Sequence, residues 1–106
     1  MMRYLAQSRY SPEGTRGLMK EGGTQRREAV RQAVENMGGT LEVFYFGYAD
    51  TDVYAICAIP DTSSALAVRL ALNSSAAGHV TLTPLATPEE IDVAAKRPLM
   101  YRMPGD

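Results

Sequence analysis

Two aspartates interrupt an aromatic and aliphatic run near the middle of the chain. Asp50 and Asp52 stand two positions apart within residues 45–56. Paired carboxylates act in glycoside hydrolysis when the carboxyl groups lie about 5 to 9.5 Å apart around a cleft, a separation that this spacing permits but does not select. Aspartate is also favoured in turns, because its side chain binds nearby backbone amides. We therefore interpret the pair as a hairpin tip and keep Asp52 as a catalytic candidate.

Two further side chains are candidates for catalysis. His79 is the only histidine, and histidine is the residue type best suited to exchange a proton at neutral pH. It follows Gly78 at the start of a predicted strand, where an exposed or hydrogen-bonded structural role is the favoured interpretation. Tyr45 belongs to the aromatic run and offers a ring and a hydroxyl group to a small substrate.

The usual signatures of metal, cofactor and nucleophile sites are missing. A single histidine and a single cysteine, Cys57, exclude a multi-histidine or cysteine-based metal cluster and an intrachain disulfide. No Gly-x-Ser-x-Gly elbow is present, which disfavours a nucleophilic hydrolase. The glycines near the N-terminus suggest a flexible loop but match neither a P-loop nor a dinucleotide fingerprint; they are Gly14, Gly17, Gly22 and Gly23. The sequence therefore predicts no metal and no cofactor.

Length and charge narrow the class of protein and its partners. The chain has 106 residues, the size of one domain with one core, and we treat residues 1–106 as such a domain. The chain has a net charge of −1 and a sequence pI near 5.8. It therefore lacks the positive potential that attracts nucleic acid. No apolar stretch approaches the ~20 residues that span a bilayer, and residues 1–9 lack a secretory signal pattern. We expect a cytoplasmic protein without nucleic-acid or membrane partners.

The pattern of apolar residues predicts the element order βαββαβ followed by a short helix and a tail. Strands are predicted over residues 2–10, 40–48, 53–59 and 79–85. Helices are predicted over residues 12–20, 24–37, 62–72 and 88–96, with capping residues at their starts. The third helix is apolar nearly all round, so we expect it to be covered on more than one side. This order is typical of a ferredoxin-like α+β sandwich with a four-stranded antiparallel sheet and extra short helices.

The two hairpin strands are apolar on both faces. One face of the first carries Leu41, Val43 and Tyr45, and the other carries Phe44 and Phe46. Two helices cover only one side of an antiparallel sheet, so the other side needs a cover. We predict that a second copy packs there face to face and forms a homodimer. The apolar tail, residues 97–106, is expected to dock on its own core or on the partner.

Polar residues on the first strand give the best indication of a ligand pocket. Arg3, Gln7 and Arg9 alternate along one face of this strand, which is central in the predicted topology. A polar group on a covered sheet face needs a partner, which is protein, water or a ligand. We therefore keep these three residues as candidates for binding a small molecule, while solvent exposure or internal pairing is the favoured interpretation.

Several short stretches of the chain resemble the GYD domain family, a group of small bacterial and archaeal proteins placed among the dimeric α/β-barrel folds. The stretches are Tyr10-Ser11-Pro12-Glu13-Gly14, Arg26-Arg27-Glu28-Ala29, Gly38-Gly39, Phe44-Tyr45-Phe46, residues 84–90, Tyr101-Arg102 and Pro104-Gly105. Where the family has a Gly-Tyr-Asp signature this chain has Ala49-Asp50-Thr51-Asp52, of which only Asp52 matches. The resemblance implies a ferredoxin-like fold and a dimer, and it transfers no catalytic residue.

Two classes of function are compatible with these residues. We prefer a noncatalytic dimeric module that binds a small molecule or maintains an assembly, because no activated nucleophile, metal cluster or cofactor motif can be built. The alternative is a cofactor-independent enzyme, similar to the monooxygenases and isomerases of the wider fold group. In it, Arg3 and Arg9 would orient an anionic or aromatic substrate, Tyr45 would contact its ring, and His79 would exchange a proton. Convergence of His79 with Asp52 or an arginine in one accessible pocket would favour the enzyme.

Overall fold

The computed structural model describes residues 1–106 as four strands and four helices. In chain order these are β1 (Met2–Tyr10), α1 (Pro12–Glu21), α2 (Gly23–Asn36), β2 (Thr40–Phe46), β3 (Val53–Ile59), α3 (Thr62–Asn73), β4 (Gly78–Leu85) and α4 (Pro88–Ala95). The strands form one antiparallel sheet in the order β2-β3-β1-β4. The predicted ferredoxin-like α+β fold is confirmed, with β1 in the interior of the sheet. None of the helices combines the length and apolarity that crossing a bilayer requires.

Side-chain caps set the starts of three helices. Ser11, Asp61 and Thr87 each accept a hydrogen bond from a backbone N–H in the first turn of α1, α3 and α4. At α4 the Glu90 carboxylate also accepts from the Thr87 amide, which completes a capping box. These hydrogen bonds lower the pKa of Asp61 and of Glu90 below their ordinary values. Gly22 separates α1 from α2. Its φ of +88° is a conformation that glycine adopts without strain and other residues do not.

The buried core lies on one side of the sheet and is small. It joins Tyr4, Cys57 and Ile59 of the sheet to Val34 of α2 and Ala65 of α3. Burial raises the pKa of the Cys57 thiol, which fits its predicted role as a small apolar side chain. Only nine of 106 residues are buried, so a single chain leaves much of its apolar surface in contact with water.

A β-bulge in β2 changes which residues share a face. The pairing with β3 shifts between Leu41 and Val43, leaving Glu42 as an extra residue. Leu41 therefore packs against the core, whereas Val43 and Tyr45 lie on the opposite side. The expectation that Leu41 shares a face with these two residues is wrong, because an inserted residue reverses the alternation of side chains once.

The side of the sheet opposite the core, here called the open face, is covered by no helix. Strand register assigns to it Arg3, Leu5, Gln7 and Arg9 of β1, Thr40, Val43 and Tyr45 of β2, Tyr54, Ile56 and Ala58 of β3, and His79, Thr81, Thr83 and Leu85 of β4. The bulge residue Glu42 reaches the same face, where it bonds Arg3. Its centre is apolar, while its polar residues lie mainly along β4 and at the two ends of β1. The helices thus pack on one side of the sheet only, as the sequence predicted.

Helix α4 and the tail stand away from the rest of the molecule. The radius of gyration is 17.1 Å, whereas a compact chain of this length is expected to have one of about 13 Å. Every residue from 88 to 106 is exposed, so the tail does not dock on its own core.

The expectation that α3 is covered on more than one side is wrong within one chain, since Leu66 and Leu70 are exposed.

Candidate functional site

A row of four side chains crosses the open face at mid-height. Gln7 of β1 lies between Tyr54 of β3 and Thr81 of β4, and Tyr54 is opposite Tyr45 of β2. The tyrosines are 70% exposed at Tyr45 and 41% exposed at Tyr54. Both rings are therefore available to a ligand or to another chain, and the Gln7 amide lies beside them.

Arg9 and His79 are cross-strand neighbours at one end of the open face. They stand directly opposite each other in the register of β1 and β4, and both are exposed. A guanidinium group and an imidazole ring side by side can both donate hydrogen bonds to one anionic group. The sequence singled out both residues, and the sheet brings them together.

Arg3 is at the other end of the open face and is paired within the chain. Its Nε and Nη2 donate to the Glu42 carboxylate over 2.8 and 3.2 Å, and this hydrogen bond raises the pKa of Arg3. The pair reaches across β3 above Ala58, which is buried. The arginine side chain is half exposed, and exposed ion pairs contribute little to stability. Of the three polar candidates on β1, Arg3 is thus the one with an internal partner.

Asp52 holds the hairpin to β1. Its Oδ2 accepts a hydrogen bond of 2.8 Å from the Tyr10 amide, and its own amide donates to the Ser8 carbonyl over 2.9 Å. Asp50 is exposed in the turn that follows Gly47. No ion pair joins either aspartate to an arginine, so the observed geometry agrees with the hairpin interpretation of the two carboxylates.

Replacing Asp52 by alanine is expected to destabilise the protein by about 1 to 3 kcal/mol, because the Tyr10 amide loses its partner. The same change at Asp50 is expected to alter the free energy of unfolding by less than about 0.5 kcal/mol, as at other exposed sites. Urea denaturation of the two variants measures the difference. Equal losses at the two positions would contradict the anchoring role.

A second candidate site is a cleft of about 500 Å³ between α1, α2 and the end of β1. Gly17, Gln25, Arg26 and the Tyr10 ring are among its lining residues. The Arg26 Nε is shielded from solvent and has no hydrogen-bond partner. Burial raises the pKa of Tyr10, and the nearby Arg26 charge opposes this rise. The Arg26 Nη1 lies 3.6 Å from the Glu21 carboxylate, which also lines the cleft, so the cleft offers a hydroxyl group and a paired cation to a small polar molecule.

None of the side chains predicted as site residues lines this cleft. Of the glycines expected to form a flexible loop, Gly14 and Gly17 lie in α1 and line the cleft, and Gly23 is the first residue of α2. The expectation of a flexible loop is therefore wrong. Helix α1 passes close to the loop before β4, and a side chain at Gly14 would collide with the Ala77 carbonyl. Glycine serves here for close packing rather than for mobility.

The sequence profile of the GYD domain matches residues 4–95. The chain belongs to the GYD domain family. The match includes the whole sheet from Tyr4 onward and ends with α4, so the similarities at Tyr101-Arg102 and Pro104-Gly105 lie outside it. Searches among curated proteins and among solved structures found no significant match. Membership in the GYD family therefore describes the domain, while its function has to be argued from the open face and the cleft.

Proposed function

We propose that this GYD-domain protein works as a homodimer in which two open faces pack together. We further propose that the dimer is a noncatalytic module that binds a small molecule or maintains an assembly. The observation that carries the proposal is the apolar centre of the open face, where Leu5, Val43 and Ile56 lie side by side in register. An antiparallel sheet that meets water on one side would carry polar residues there.

A second copy suits this face in shape and chemistry. Two sheets pack with about 10 Å between them, a distance that interdigitating side chains from both faces fill. The exposed rings of Tyr45 and Tyr54 provide large contact areas on stiff side chains. Each large apolar side chain removed from water contributes roughly 1.5 to 3 kcal/mol. The small core of the single chain supports the same conclusion, because a dimer would add a second core between the sheets.

The polar residues of the open face support the small-molecule part of the proposal. Gln7 lies beside the apolar centre of the face, in the row next to that of Leu5, and Arg9 and His79 stand together near its end. Once a partner sheet excludes water, such groups require hydrogen-bond partners. A small anionic or aromatic molecule held between the sheets supplies them, with the anion at Arg9 and the ring beside Tyr54.

One observation favours the enzyme as a second candidate. His79 next to Arg9 provides a proton-exchanging group beside a cation that orients an anionic substrate. Tyr45 is three strands away from His79 in the order of the sheet, which is roughly 14 Å at the usual strand spacing. The two residues of one chain therefore cannot contact the same small group. For this reason we prefer the noncatalytic module.

Sedimentation equilibrium combined with a thermal-shift screen tests the proposal. We expect a dimer at micromolar concentration and a raised melting temperature with at least one small carboxylate or phenol, without conversion of that compound. The variant Arg9→Gln should remove the shift, whereas Arg16→Gln on α1 should retain it. A stable monomer of 11.5 kDa would contradict the dimer, and turnover of a bound compound would favour the enzyme.

A further inference from the structure

We infer that α4 and the tail, residues 88–106, form an arm that packs against the second copy. This inference rests on the homodimer proposed above and assigns it a further contact surface. It commits to one occupant for the exposed apolar side chains of the arm, which is another copy of this chain.

The first observation is the exposure of the arm. Its large apolar side chains are between 56% and 99% exposed, and they are Ile91, Val93, Leu99, Met100, Tyr101 and Met103. A soluble monomer rarely exposes so continuous an apolar segment, and such surfaces usually mark an interaction site. The arm also has defined local structure, since a capping box begins α4 and the Arg102 guanidinium donates to the Asp106 carbonyl over 3.0 Å.

The second observation is where the arm begins. Leu85, the last residue of β4, is opposite Arg3 at the rim of the open face. The hydrogen bond from the Thr87 amide lowers the pKa of Glu90, and the positive charge of Arg3 lowers it further. Helix α4 thus starts beside the open face and extends away from its own body. A copy that packs on the open face would lie next to the arm.

The third observation concerns area. Four strands about 4.8 Å apart and seven residues long at about 3.3 Å each give a face of roughly 450 Å² in projection. A stable interface of standard size buries about 800 Å² on each partner. The accessible area of the open face exceeds this projection because its side chains stand out from the sheet, so the face can form a large part of such an interface. The six exposed apolar side chains of the arm would enlarge it.

The absence of tryptophan from the chain allows a sharp test with a single fluorescent reporter. Tyr101→Trp places the reporter on the arm, and Tyr48→Trp places a control on the hairpin, where the tyrosine is fully exposed. We expect the emission of the arm reporter to shift to shorter wavelength as the protein concentration rises, in proportion to the dimer fraction measured by sedimentation. The hairpin reporter should keep the emission of a solvated indole throughout.

The outcomes separate this inference from the dimer on which it rests. A dimer with a solvated arm reporter would overturn the inference and leave the dimer intact. An arm reporter that is shielded at every concentration, including that of the monomer, would show that the arm packs on its own chain. A protein that stays monomeric would overturn the proposed homodimer and the inference with it.

A pair of charge substitutions gives an independent readout. Leu99 and Met19 are 83% and 80% exposed, on the arm and on α1 respectively. Leu99→Asp should raise the dissociation constant of the dimer at least tenfold, since a buried charge needs a partner. Met19→Asp should leave the dissociation constant within twofold of the wild-type value. Equal effects of the two substitutions would contradict a specific role for the arm.

Discussion

Tyr54→Lys is expected to convert the dimer into a folded monomer. The residue lies on the open face between Tyr45 and Gln7, where two packed sheets would bury the new charge without a partner. Such a charge costs about 3 to 5 kcal/mol, which is more than a hundredfold in the dissociation constant. The monomer should remain folded, because Tyr54 is 41% exposed in the single chain. Sedimentation velocity and circular dichroism measure the two properties.

The matched control for this substitution is Leu66→Lys on α3. Leu66 is 53% exposed and belongs to the helical layer on the other side of the sheet. We expect this variant to remain dimeric, because the proposed interface of open face and arm does not include α3. If Leu66→Lys dissociates the protein and Tyr54→Lys does not, the helical layer is the interface and the proposed dimer is wrong.

Ile59→Ala is expected to lower the free energy of unfolding by about 2 to 5 kcal/mol. Ile59 is the most buried residue, at 2% exposure, and packs with Tyr4 and Cys57 in a core of few residues. A single chain with so small a core has little stability to lose. We therefore expect part of the variant to be unfolded at low concentration, with folding recovered as dimerisation adds stability.

Urea denaturation in the monomeric Tyr54→Lys background isolates the core contribution, because dimerisation no longer contributes there. Ile91→Ala makes the same chemical change at a site that is 60% exposed. In that background it should change the free energy of unfolding by less than about 0.5 kcal/mol. Similar losses at Ile59 and Ile91 would contradict the assigned core.

Local signals in the sequence predicted most of the fold. The alternation of side chains predicted β1, and a run of β-branched and aromatic residues ended by Pro60 predicted β3, both with their observed ends. The caps at Ser11, Asp61 and Thr87 predicted where three helices start. These signals succeed because they depend only on neighbours along the chain.

Features that depend on pairing between strands were not predictable in the same way. Both faces of β2 are apolar, so the pattern does not reveal the bulge at Glu42 that moves Leu41 to the core. The ion pair of Arg3 with Glu42 depends on this bulge and was missed as well. The adjacency of Arg9 and His79 follows only from the register of β1 with β4. The cleft beside Tyr10 was not predicted, because it forms where α1 packs against α2. In the sequence this region is recognisable only as a glycine-rich stretch.

The most direct test of the central claim is an isotope-filtered NMR experiment on a mixture of labelled and unlabelled copies, which detects contacts between chains only. If two open faces pack together, intermolecular contacts will arise from the methyl groups of Leu5, Val43 and Ile56. Contacts that arise only from Leu66 and Leu70 of α3, or no intermolecular contacts at millimolar concentration, would contradict the claim.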